Sequence, residues 1–179
     1  MPAGLVAAVV SSGEIDLSWN AVYRNGSAIA TSAAGILTYA DTGVDHGFTY
    51  SYAVAAFDTA GNASAPSAPV PASTPDDVPP GTPGNFSAVA GSPTSVRLAW
   101  SAATDNVAVT GCDVFRDGAP LATLGPGALA YTDTVAGGST HTYTTDAFDS
   151  GGNHSGQAPP QTVTTPMADT IPVQRALGR

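Results

Sequence analysis

Hydrophobic and polar positions alternate along much of this chain. Ile15, Leu17 and Trp19 interleave with Glu14, Asp16 and Ser18, and Tyr50, Tyr52, Val54 and Ala56 recur at every second position. A period of two is the mark of a β-strand with one face inward and one face wet. Turn signals punctuate these runs. Asn25-Gly26 and Asp117-Gly118 supply the pair of positive-φ residues that a two-residue hairpin demands. "DTAGN" (58–62) and "DSGGN" (149–153) are Gly/Asx clusters that end a strand in a loop. Short alternating strands with a turn signal about every 8–12 residues predict an all-β sandwich.

The pattern occurs twice. "IDLSW" (15–19) matches "VRLAW" (96–100), and "VYRNGSAIAT" (22–31) matches "VFRDGAPLAT" (114–123). "TYADT" (38–42) matches "AYTDT" (130–134), and "YSYAVAAFDTAGNAS" (50–64) matches "HTYTTDAFDSGGNHS" (141–155). The order is the same in both copies, so one structural unit is written twice. Between them runs "PSAPVPASTPDDVPPGTPG" (66–84). Proline fixes φ and cannot donate to a ladder, so this stretch is expected to be an extended, semi-rigid connector and not a central strand. "TTPMADTIP" (164–172) begins a second such stretch. The expected organisation is a module at 1–75, a linker at 76–82, a module at 83–166 and a further linker or tail at 167–179.

Composition narrows the picture. Hydrophobic residues make up 42% of the 179, enough for packed cores, and 20 Gly with 15 Pro suit short strands better than long helices. The five cations are all arginine; against 14 acids they leave a net charge of −9, which repels nucleic-acid phosphates and anionic lipid. No apolar run is long enough to span a bilayer. With one cysteine, Cys112, the chain forms no internal disulfide. The opening "MPAGLVAAVV" lacks the basic n-region of a signal peptide. Secretion is therefore expected to depend on sequence upstream, or the chain is a fragment of something longer.

The apolar-x-Trp strand, "VFRDG", the Tyr-x-Asp of "YTDT" and "AFDSGGNHS" together resemble bacterial fibronectin type III modules, and "ATDNVAVTGCDVFRDG" is close to the form found in secreted polysaccharide hydrolases. The resemblance covers roughly residues 3–75 and 83–166. It implies two tandem immunoglobulin-like sandwiches, each with strands A, B and E facing C, C′, F and G. It implies a non-catalytic spacer or accessory role in an extracellular or cell-surface protein, with other domains of the same polypeptide as partners and no cofactor. Trp19, Trp100, Tyr50, Tyr52, Tyr143, Gly26 and Gly118 carry structural roles in this reading. The family's tyrosine corner falls on Tyr50 in the first copy but on His141 in the second. Cys112 stands where strand C usually has Tyr, and Thr145 stands where the first copy has Val54. Such swaps trim or polarise a core, so modest stability is expected.

The copies differ most between strands B and C, where the first is eleven residues shorter. The second crosses with "SAATDNVAVTGCD", whereas only Asn20-Ala21 separate Trp19 from Val22. Two residues reach about 7 Å, and sandwich faces lie about 10 Å apart. Either strand ends are consumed, strand C shrinks and strand F is left with a bare edge, or residues 19–29 form a plain hairpin within one sheet.

Candidate chemistry is sparse. Glu14, the sole glutamate, falls on a wet strand face, and Asp105, Asp113 and Asp117 fall on a loop, a strand and a turn. No pair suits glycosidase chemistry. His46, His141 and His154 lack metal-ligand spacing, and "GNHSG" is not a nucleophile elbow. Asp58 with Asn62, and Asp149 with Asn153, offer too few oxygens for calcium and read as Asx turns. Asn25, Asn62, Asn85 and Asn153 head Asn-x-Ser tripeptides that turn chemistry explains. "RNG" and "RDG" are not Arg-Gly-Asp. Tyr23 with Phe57, and Phe115 with Phe148, fall on the outward phase of strands C and F. Cross-strand packing accounts for them; a small platform for sugar rings, hence weak polysaccharide or surface binding, is the alternative. A repeat of a cell-surface adhesion protein is a third reading.

Overall fold

A computed structural model describes residues 7–11, 13–17, 21–32, 38–58 and 60–168, with backbone alone for 7–10 and 14–17. The chain divides into two compact units, 1–78 and 79–179, a division falling inside the stretch expected to be linker. No helix is long and apolar enough to cross a membrane among the described residues.

In the second unit the strands are β8 (Gly84–Ser92), β9 (Ser95–Ser101), β10 (Val109–Arg116), β11 (Ala119–Leu124), β12 (Ala130–Thr134), β13 (Thr140–Asp149) and β14 (Gln161–Thr164). They form a three-stranded sheet, β12-β9-β8, and a four-stranded sheet, β11-β10-β13-β14, with every neighbour antiparallel. Burial alternates along β9, with Val96, Leu98 and Trp100 inward; in the run at 50–56, Tyr50, Tyr52 and Val54 are buried as read, but Ala55 is buried as well and Ala56 only partly so. Val96, Leu98 and Trp100 of β9 meet Cys112 and Val114 of β10 and Tyr143 and Ala147 of β13 in one core. Thr145 is wholly buried in that core, yet its hydroxyl donates to the Asp113 carbonyl at 2.8 Å, so the Val-to-Thr swap leaves no polar atom stranded.

The first unit repeats the plan with β1 (Ala7–Ser11), β2 (Glu14–Leu17), β3 (Ala21–Arg24), β4 (Ser27–Thr31), β5 (Tyr39–Asp41), β6 (Thr49–Ala55) and β7 (Val70–Ser73). Their sheets run β1-β2-β5 and β4-β3-β6-β7. Val22, Val44, Tyr50, Tyr52 and Ala72 form its core. In both units the hairpin turn is as expected: Asn25 and Gly26 have φ of 51° and 81°, and Asp117 and Gly118 have 54° and 80°.

One expectation needs correction. The Pro-rich stretch is not connector from its start, because Val70–Ser73 pairs with β6 as the edge strand β7, Pro71 opposite Ser51. An edge position leaves one side of the strand unpaired, where a missing N–H does no harm. Of the strand read at 15–19, Ile15–Leu17 lies in β2, and residues 18 and 19 lie outside the described residues. The hairpin alternative holds for residues 21–31, where β3 pairs with β4 within one sheet, while β2 lies in the other sheet.

The crossing itself, residues 18–20, lies outside the described residues. Strand C of the first unit, β3, keeps 4 residues where β10 has 8. Its pairing with β6 begins at Ala21↔Ala55, so residues 56–58 meet no β3 partner among the described residues. Four cross-strand positions fewer among the described residues, at roughly 0.2–1 kcal/mol each, lead us to expect the first unit to be weaker by about 1–4 kcal/mol, or roughly 5–25 °C. Calorimetry of the whole chain should therefore show two transitions. Asp41→Asn should move the lower one and Asp133→Asn the upper. A single transition moved by both substitutions contradicts this account.

Candidate functional site

Each unit holds the same buried polar triad. Arg24 ends β3, Asp41 ends β5 and Tyr52 lies in β6; their counterparts are Arg116, Asp133 and Tyr143. Tyr52 donates its hydroxyl proton to Asp41 Oδ2 at 2.8 Å, and Arg24 Nη1 approaches the same oxygen at 3.0 Å. Tyr143 donates to Asp133 Oδ2 at 2.8 Å, as does Arg116 Nη1 at 2.8 Å. The tyrosines are wholly buried and the aspartates nearly so. Burial, and then the facing carboxylate, push both phenols well above their ordinary value, so each remains a donor. The carboxylate arrives from the three-stranded sheet and both donors from the four-stranded one, so the triad is a polar bolt between the two layers. Arg24 reaches further, donating to the Gly43 carbonyl at 2.6 Å and lying 5.4 Å over the Tyr50 ring. The sequence reading noted the arginines only at their turns and missed the triad. The signal was available, because all three residues recur in both copies.

The corner positions diverge. In the first unit the Asp45 amide donates to the Tyr50 hydroxyl at 2.8 Å, a corner tied to backbone five residues upstream. In the second, His141 Nδ1 lies 2.6 Å from Asp117 Oδ2, and Asp117 Oδ1 accepts from the Thr142 amide at 2.9 Å. The hydrogen bond from His141, then that from Thr142, holds the Asp117 carboxyl below the usual range. A depressed folded value means stability that is present above the ordinary carboxyl pKa near 4 and lost as the pH falls below it. Asp117→Asn, the residue type found at Asn25, should flatten the acid side of the stability curve between about pH 2 and 4. Urea midpoints across that range check it; an unchanged slope removes His141–Asp117 as a contributor.

The aromatics do not come together as platforms. Phe115 stands opposite Thr144 and Phe148 opposite Gly111, with the Asp113–Asp146 pair between them on the ladder. Phe148 instead packs across Gly111 and against the His154 ring, at 5.5 Å between centroids. In the first unit Tyr23 opposes Ala53, and Phe57 forms an isolated bridge to Ala63. Phe57 is exposed, whereas Phe148 is half-buried.

The remaining candidates are occupied locally. Asn62 donates from backbone and side chain to Asp58, and Asn153 does the same to Asp149, all at 2.8 Å. These are Asx turns in which an amide, not an oxygen, faces each carboxylate. Asp105 accepts from the amides of Val107 and Ala108, both at 2.9 Å. His46 pairs with Asp77. Cys112 is buried and its thiol is pushed up by that burial.

A three-stranded sheet of A, B and E on a four-stranded sheet of C′, C, F and G is the fibronectin type III-like sandwich, and both units have it. The chicken CNTN1 FN1-FN3 domains share the fold, with a TM-score of 0.52 at 15% identity over 92% of this chain and 66% of that one. Both units of the chain thus have the fibronectin type III-like fold. The chain is 37% identical over 191 residues to exoglucanase B of Cellulomonas fimi, covering 96% of this chain and 17% of the relative. It is 36% identical over 179 residues to chitinase A1 of Niallia circulans, covering 91% of this chain and 25% of the relative. A poly(3-hydroxybutyrate) depolymerase of Ralstonia pickettii is 42% identical over 81 residues, covering 41% of this chain and 16% of the relative. The chain thus spans a quarter or less of each of these proteins. No protein-family model matches the sequence.

Proposed function

We propose that the chain is a non-catalytic spacer and accessory segment of a secreted bacterial polysaccharide hydrolase, acting outside the cell with the other domains of its polypeptide as partners. The observation that carries this is the tandem itself: most of the chain matches a small part of an exoglucanase and of a chitinase. Two bolted sandwiches supply length and rigidity, and proline-rich sequence limits bending. Removing the segment from the parent enzyme should leave kcat on a soluble oligosaccharide unchanged and lower the rate on insoluble polymer. A loss on both substrates alike rejects the spacer reading.

Polysaccharide binding is checked separately by affinity electrophoresis and by pull-down on chitin and cellulose. No retention is expected, because Phe115 and Phe148 are separated along the ladder. Retention abolished by Phe115→Ala with Phe148→Ala would replace the spacer with a binding module. A reading frame that continues into a wall anchor and further repeats would replace it with adhesion.

A further inference from the structure

The outer face of the four-stranded sheet in the second unit carries a polar cluster that the fold does not require. Asp113 of β10 and Asp146 of β13 stand opposite each other in register. The loop after β13 sets His154 beside them, its Nδ1 3.5 Å from Asp146 and 3.9 Å from Asp113. That loop is fastened by other means. Ser155 accepts from the Ala147 amide on its hydroxyl at 2.9 Å and returns its own amide to the Ala147 carbonyl at 2.8 Å. Asn153 is tied to Asp149, and the Phe148 ring packs on the imidazole. Backbone pairing therefore places His154, and the acids need not draw it there.

The arrangement is costly as it stands. Like charges directly opposite on a ladder repel. Asp146 is 6% exposed, and its Oδ1 is buried with no hydrogen-bond partner. Burial pushes its carboxyl above the ordinary value. His154 approaches only the other oxygen, and it is half exposed. The first unit shows that none of this is needed to build the sheet. In the repeat, positions 113, 146 and 154 correspond to Ala21, Ala55 and Ala63. The same ladder and the same isolated bridge form there, Phe57↔Ala63 matching Phe148↔His154. Three ligand-type side chains occur together in one unit, and three methyl groups occupy their places in the other.

We propose that Asp113, Asp146 and His154 form a binding site for a divalent transition-metal cation of the zinc class. One imidazole nitrogen and two carboxylate oxygens lie within 4.8 Å of one another. Zinc bonds of about 2.0–2.2 Å set tetrahedral ligand atoms roughly 3.4 Å apart. The 3.5 Å approach already matches this, and a small rotation of the exposed imidazole closes the 3.9 Å one. The cation relieves the facing charges and gives the buried carboxylate a partner. Calcium fits poorly, since it takes six to eight oxygens. The open side at His154 leaves room for water as fourth ligand. Thr123 donates its hydroxyl proton to Asp113 Oδ1 at 2.5 Å, orienting that carboxylate from behind. The metal would staple the β13–β14 loop to strand β10.

The test is zinc chloride titrated into the full chain, followed by calorimetry and by NMR of the imidazole nitrogens. One equivalent should bind saturably and shift the His154 Nδ1 resonance, with His46 and His141 unmoved. His154→Ala and Asp146→Ala should each weaken binding at least about 100-fold. Both variants install the residue the first unit already carries, and circular dichroism confirms that they fold. His46→Ala and His141→Ala should bind as the unaltered chain does. Binding that leaves the His154 resonance in place, equal affinity in His154→Ala, or no saturation by about 1 mM each overturns the proposal.

Discussion

Replacing Asp133 with alanine should destabilise the second unit by about 3 kcal/mol, the low end for breaking a buried ion pair because Arg116 is partly exposed. The carboxylate is nearly inaccessible and accepts from both Tyr143 and Arg116. Its loss leaves a wholly buried phenol without an acceptor and unties the two sheets at one point. Asp133→Asn should cost about 2 kcal/mol, retaining one acceptor oxygen but no charge. Tyr143→Phe should cost about 1 kcal/mol, since donor and desolvation penalty leave together. Urea unfolding of the three variants gives the ranking directly. If Tyr143→Phe proves as damaging as Asp133→Ala, the ring's packing rather than the polar bolt holds the layers.

The second large effect is expected at Gly111. A Cβ there would sit 2.3 Å from the Phe148 ring and 2.5 Å from the Leu124 carbonyl oxygen. Neither distance is tolerable, and the second involves backbone that cannot swing aside. Gly111→Ala should cost about 3 kcal/mol, the upper part of the range for overpacking. Removing the ring as well, in Gly111→Ala with Phe148→Ala, relieves one of the two clashes. The double variant should then lose less than the sum of the separate losses, a coupling of about 1 kcal/mol in a double-mutant cycle. Strict additivity would mean that the Leu124 carbonyl alone sets the cost.

The strand plan was largely legible before any coordinates. Period-two runs gave β2 and β6, and Asn25-Gly26 and Asp117-Gly118 marked the β3–β4 and β10–β11 turns, because these signals are local. What escaped notice depends on register. Asp113 and Asp146 are unremarkable in sequence until β10 and β13 align them, and His154 joins only when the loop folds back. Phe115 and Phe148 were grouped because both point outward from neighbouring strands, but the ladder places them apart. The edge strand β7 was hidden by its own prolines, whose rigid φ also suits an extended edge. The triads draw one residue from each of three strands; Arg and Asp stand 17 residues apart in both copies, a spacing that only comparing the repeats exposes.

Arg24 and Arg116 turn toward Asp41 and Asp133, and this alters what an approaching molecule meets. Once those pairs cancel, few cations remain to offset the other acids of a chain whose formal charge is −9. Two copies drawing within a Debye length, about 8 Å at physiological ionic strength, confront mutual anionic repulsion. Osmotic measurements on concentrated solutions should give a positive second virial coefficient that shrinks as salt is added.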